Sequence, residues 1–272
     1  MWYLLAVSLL VLQFNKKLSV SLLAITAALG GYTAVLDWRA FAFIAGLAAI
    51  AGAYPGIRNT KMRIVLELLL LLSSVGLMLH LIPGFHNLRV LDGVRAGPES
   101  APFTMYYNFD KALVPFVLLI CLNSLFSTHT RPQTRLWPWL ALVAAVPVLL
   151  MVAVALGGLK VEPHHPEWLF QFVLANIFFV SLAEEAFFRG YLQQRLSSVM
   201  HPVLALIVAS LLFGGLHYAG GALLVIFATF AGLIYGLAWM LSGRLWVAAG
   251  FHAGLNLCHV LFFTYPVWQR LA

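Results

Sequence analysis

Apolar residues run along this chain in long blocks and not in a short alternation, with brief clusters of Pro, Gly, Asn and basic residues between the blocks. A helix needs about 20 predominantly apolar residues to cross the hydrocarbon layer of a membrane. Ten candidate segments can be marked on that basis, at roughly 2–14, 18–36, 40–57, 64–82, 111–126, 137–159, 170–196, 203–219, 222–242 and 245–265. The first is short, and reads as an interfacial helix or as the lesser half of a pair with the second. The basic pair Lys16 and Lys17 follows its apolar stretch, which is the reverse of a signal peptide. The pattern predicts an all-α fold, a polytopic transmembrane helical bundle of about 8–10 helices. It divides into N-terminal transmembrane helices over 1–136, without an assigned role, and a transmembrane core over 137–272. The one long polar stretch, 83–110, reads as a solvated connector in preference to a cap over the membrane face.

Composition agrees with the pattern. The chain of 272 residues is 62% hydrophobic and 9% charged, whereas a soluble domain is about 45–50% apolar and about 25% charged. The lipid bilayer is therefore the first partner. The formal charge of +7 is scattered between apolar runs and makes no basic stripe, which excludes nucleic acid as a partner. Cys121 and Cys258 both lie inside apolar runs, which excludes a disulfide framework or a cysteine zinc module. Placing Lys16 and Lys17 in the cytoplasm and alternating puts Arg58, Lys61, Arg63, Arg131, Arg135, Arg195 and Arg244 with them. Arg39, Arg89, Arg95, Lys111, Lys160 and Arg270 fall on the other side, a modest positive-inside bias.

An ionisable side chain inside a bilayer costs at least about 2.5–3.5 kcal/mol on insertion scales, so each one is a functional hypothesis. Of the nine acidic residues, most fall in loops or at segment ends, and Glu67 stands four residues after Arg63, where an i,i+4 pair can hold it. Glu184 and Glu185 remain, side by side in SLAEEAFFRGYL of the seventh segment. Arg189 stands in the favourable i,i+4 position to neutralise Glu185, which leaves Glu184 unpaired. In the eighth segment FGGLH puts Phe213 and His217 on one helix face, and in the tenth HAGLN does the same for His252 and Asn256. At a rise of about 1.5 Å per residue all four polar groups can meet near mid-bilayer. His80, His201 and His259 read as interfacial. GxxxG spacings at Gly232/Gly236 and Gly250/Gly254 suggest close helix approach.

These groups have the parts for hydrolysing an amide. Glu184 would act as general base on a water that His217 helps to hold, and His252 with Asn256 would stabilise the oxyanion. An aspartyl type would need two intramembrane Asp, an HExxH zinc type needs a motif that is absent, and a serine type lacks its Gly-rich turn.

EEAFFR, FGGLH and HAGLN together resemble the EExxxR, FxxxH and HxxxN motifs of the CAAX-protease and bacteriocin-processing family, also called the Abi or type II CAAX prenyl endopeptidase family. The resemblance covers roughly the last 100 to 130 residues, in a chain whose ten segments exceed the eight usual for that family. It implies a glutamic-type intramembrane peptidase, a class once taken for metalloproteases. Glu184 and His217 would activate water, and His252 and Asn256 would bind water and oxyanion. Glu185, Arg189 and Phe213 would support the site. It also implies a peptide or membrane-anchored protein substrate, lipidated or bearing a C-terminal sorting tag. No cofactor is expected. The alternative is zinc, held by Glu184, His217 and His252 as a two-histidine, one-carboxylate set. The rival functions are a non-catalytic bacteriocin-immunity or peptide-binding membrane protein of the same fold, and a proton-coupled transporter. A short chain with no evident targeting extension points to a multi-pass protein of the bacterial inner membrane.

Overall fold

A computed structural model describes residues 1–128 and 132–269, so Arg131 and Arg270 of the charge count lie outside the described residues. The ten apolar segments are ten helical runs among those residues: α1 Trp2–Val11, α2 Lys16–Tyr32, α3 Trp38–Ala53, α4 Thr60–Met78, α5 Phe109–Cys121, α6 Leu136–Ala155, α7 Leu169–Ser197, α8 Pro202–Gly215, α9 Gly221–Ser242 and α10 Leu245–Phe262. Asn15, Asp37 and Asn59 cap α2, α3 and α4 by accepting from Leu18 N, Arg39 N and Met62 N, the role short polar side chains take at helix starts. Five helices are long and apolar enough to cross a membrane: α3 with the turn that follows it, α6, α7, α9 with the turn before it, and α10. Together with the composition, this makes the chain an integral membrane protein. The short α1 pairs with α2 through reciprocal hydrogen bonds, Ser8 Oγ to Ser19 O at 2.8 Å and Ser19 Oγ to Ser8 O at 2.7 Å.

α7 is the central helix. Its membrane-length window is 56% buried, against 11–39% for the other four. α5, α8, α9 and α10 pack on it, and α6 lies outside against α9 and α10. Two stretches of α7, Ala175–Ser181 and Ala186–Gln193, are π-helical, and the single α turn between them is Leu182–Glu185. π-bulges cost hydrogen-bond geometry and gather at functional sites. Here they flank the Glu pair on both sides.

The stretch 83–110 is not a solvated connector. Within it β1 (Leu88–Val94) and β2 (Phe103–Tyr107) form an antiparallel hairpin with Leu88 opposite Tyr107 and Val94 opposite Phe103. Leu91, Met105 and Tyr107 turn inward and are buried. Tyr107 meets Trp2 and Phe179 edge-on with ring centroids 5.4 Å away, and Phe103 meets Tyr265 at 5.0 Å. Glu162 stitches the hairpin loop to the middle of the α6–α7 connection: its Oε1 accepts from Glu99 N at 2.8 Å and its Oε2 from Ser100 Oγ at 2.6 Å. Arg95 reaches Gln269 Oε1 at 2.6 Å. The hairpin is a cap, because alternating inward side chains find an aromatic floor that a one-dimensional reading of Pro and Gly does not reveal.

Candidate active site

Glu184 and Glu185 sit on the α turn of α7, and they take different partners. Glu185 and Arg189 are fully buried and joined, Arg189 Nη1 to Glu185 Oε1 at 3.1 Å. Arg189 also donates from Nη2 to Gly232 O at 2.9 Å, and its guanidinium lies over the Phe213 ring at 4.7 Å. This is the i,i+4 pair that the spacing suggested, now with a backbone carbonyl and an aromatic face added beside the arginine. His252 Nδ1 donates to Glu185 Oε1 at 2.9 Å. The second glutamate is therefore a hub that orients both a cation and an imidazole.

Glu184 is not unpaired, contrary to the expectation from spacing alone. Lys111 Nζ, from the first turn of α5, lies 3.3 Å from Glu184 Oε1, and both side chains are largely buried. A chain position read as the outer end of a segment sends its long, flexible side chain inward.

His217 closes α8. Its Nδ1 donates to Phe213 O at 2.9 Å, and because a carbonyl only accepts, Nδ1 carries the proton and Nε2 of the neutral ring is an acceptor. The Phe213 ring sits 5.0 Å from His217 and 5.7 Å from His252, centroid to centroid, so the FxxxH phenylalanine is the spacer between the two imidazoles. Asn256 donates from Nδ2 to Asn176 Oδ1 at 2.8 Å, and Asn176 donates in turn to Phe172 O. Nδ2 has two hydrogens, so one remains for another acceptor.

One cavity of about 370 Å³ collects these groups. Phe213, His217, Tyr235, His252, Asn256 and His259 line it, and most of the remaining wall is aliphatic. A concave, mostly apolar space with a few convergent polar groups is the form a substrate site takes. Glu184 stands outside the lining residues, on the Lys111 side. Among the described residues no group of three or more His, Cys, Asp and Glu is placed to hold a metal ion. For the zinc alternative, Nδ1 of His217 and of His252 is turned to Phe213 O and to Glu185, as in metal-binding imidazoles that ligate through Nε2, whereas the Lys111 ammonium beside Glu184 opposes a dication there.

Several residues that matter here are invisible to motif reading. Lys111, Asn176 and Tyr235 carry no motif. His259, read as interfacial, lines the cavity and bonds Thr264 O at 3.0 Å. His80, also read as interfacial, bonds the buried Asp110 at 2.6 Å, whereas His201 stays at a helix start and accepts from Val203 N. Glu67 is held by Arg195 at 2.5 Å and by Tyr191 Oη at 2.8 Å, and not by Arg63, which stacks on Tyr54. Of the two GxxxG spacings, Gly232 and Gly236 do face close neighbours, while a Cβ on Gly250 or Gly254 would meet nothing within 4 Å.

Residues 166–258 match the family model described as Type II CAAX prenyl endopeptidase Rce1-like. No curated protein and no solved structure matches the chain. The match begins just before α7 and ends two residues past Asn256, so it takes in both glutamates, both imidazoles and the carboxamide while leaving out Lys111. The likeness to the Rce1-like type II CAAX prenyl endopeptidases is confined to the stretch from 166 to 258.

Proposed function

We propose that this protein is an intramembrane endopeptidase that hydrolyses a peptide bond by a glutamate- and histidine-activated water, on a peptide or membrane-anchored protein substrate. The observation that carries the reading is the convergence of His217, His252 and Asn256 on one apolar-walled cavity, beside the helix turn that bears Glu184 and the His252-bound Glu185. Glu184 takes a proton from water, the resulting hydroxide adds to the scissile carbonyl carbon, and the carbonyl oxygen becomes an oxyanion. The free hydrogen of Asn256 Nδ2 donates to that oxygen. His217 Nε2, an acceptor in the neutral ring, orients the attacking water. His252 carries a proton on Nδ1 toward Glu185, which turns its Nε2 edge away from Glu185 and toward the reacting groups. When the C–N bond breaks, the proton held by Glu184 passes to the departing amine, which restores the carboxylate.

The apolar wall suits a lipidated or strongly apolar substrate segment, and the family match makes a prenylated C-terminal peptide the first to try. The mechanism needs no metal. The deciding experiment reconstitutes wild type and Glu184→Gln in liposomes with a farnesylated, internally quenched peptide ending in a CAAX sequence. Cleavage by wild type that persists in chelator and falls by about 10²–10⁴-fold in the variant supports the reading. Equal cleavage by both proteins, or a chelator-dependent wild type, overturns it. The rival binding or immunity function gains if neither protein cleaves and both hold the peptide equally.

A further inference from the structure

Among the described residues Lys111 is the one cation in contact with the Glu184 carboxylate, and it comes from outside the stretch that matches the family. The pair is not a solvated surface bridge. The side chains are 18% and 14% exposed, which puts them in surroundings where charge pairs are poorly screened and their geometry is held. The start of α5 is also fixed. Asp110, 2% exposed, accepts from Lys111 N at 2.9 Å, from Asn87 Nδ2 at 2.9 Å and from His80 Nδ1 at 2.6 Å. Asn87 Oδ1 accepts from Phe109 N at 2.9 Å. A polar clamp from the α4–β1 connection thus sets the helix turn that aims Lys111 at α7.

We propose that Lys111 is a positioning residue for the general base, occupying Oε1 of Glu184 so that the other carboxylate oxygen is presented to the water. This rests on the peptidase reading above and adds that the N-terminal helices complete the site. Glu184 Oε1 has no other hydrogen-bond partner among the described residues. Without the ammonium the carboxylate has nothing to set its rotamer, whereas Glu185 is held by both Arg189 and His252.

The test uses the full chain in liposomes with the farnesylated, internally quenched CAAX peptide. Lys111→Met is expected to lower kcat by about tenfold or more, short of the full loss on removing the base, with KM kept. Lys111→Arg, which keeps the charge, is expected to recover most of kcat, and Asn87→Ala, which loosens the clamp, to fall between wild type and Lys111→Met. A folded Lys111→Met with wild-type kcat overturns the proposal, as does a Lys111→Arg that restores thermal melting but not kcat. If wild type itself does not cleave the peptide, the peptidase reading fails, and a melting cycle over Lys111→Met, Glu184→Gln and the double variant still reads the pair. Non-additive shifts then support the positioning contact, and additive shifts overturn it.

Discussion

The imidazole of His252 lies face to face with the phenol of Tyr235, centroids 4.5 Å apart and planes 11° from parallel. Nδ1 of the same imidazole is tied to Glu185, so plane and rotation are both set. Stacked rings contribute about 0.5–1.5 kcal/mol beyond burial, and about 1.4 kcal/mol corresponds to a factor of ten in rate. Tyr235→Leu is therefore expected to lower kcat by up to about tenfold, while Tyr235→Phe, which keeps the ring, leaves it near wild type. Steady-state kinetics on the two variants separates the ring from the hydroxyl.

Glu185 and Arg189 are both fully buried. Breaking such a pair by removing one partner costs about 3–5 kcal/mol, because the survivor is left charged and unpaired. Glu185→Leu and Arg189→Met should each lower the melting temperature in detergent sharply. The double variant should regain much of it and remain inactive, because His252 has lost its carboxylate. A double variant that melts no higher than the singles counts against this account.

Asn176 Oδ1 holds one hydrogen of the Asn256 amide and so decides which way that carboxamide points. Asn256→Ala should lower kcat by about 10²–10³-fold, the usual cost of an oxyanion donor. Asn176→Leu should cost less, with kcat reduced and KM little changed. Equal losses in kcat and in affinity would assign Asn176 to substrate binding instead.

The two GxxxG spacings predict opposite outcomes. A Cβ at Gly236 would press on Leu206 and on Gln193 Oε1, and one at Gly232 would lie 3.2 Å from Ser210 Cα, whereas Gly254 has open space. Gly236→Val is expected to destabilise the bundle by about 1–3 kcal/mol through overpacking, and Gly254→Ala to change its melting little. Thermal melts of the purified variants decide this.

Asp37 caps α3 and bonds His86, and its hydrogen bond from Arg39 N holds the carboxyl below the usual carboxylate range. A folded value below the unfolded one means that the contribution is present above pH of about 4 and is lost as the pH falls through the folded value. The protection factor of the His86 amide, which bonds Val35 O, should fall on acidification once the intrinsic pH dependence of exchange is divided out. Asp37→Asn, which caps without titrating, should flatten that dependence.

Much of the architecture was legible in one dimension because a membrane imposes a one-dimensional rule: an apolar run of sufficient length has few fates besides a helix. The ten runs, the Glu185–Arg189 pair and the Phe213–His217 spacing follow from local periodicity. The hairpin at 88–107 was missed because its turn residues read as a loop, and its strands are justified only by the aromatic floor of Trp2, Phe179 and Tyr265 beneath them.

By itself the sequence determined that the protein lives in a membrane, which helices it makes and that the Glu184–Glu185 pair and Arg189 lie within one of them, since each of these depends on residues within a turn or two of one another. Tertiary structure alone decided who meets whom. Lys111 reaches Glu184 across 73 positions, Asn256 reaches Asn176 across 80 and His252 reaches Glu185 across 67. Such partnerships depend on how helices are arranged around α7 and on the rotations its two π segments introduce, and neither leaves a period in the chain.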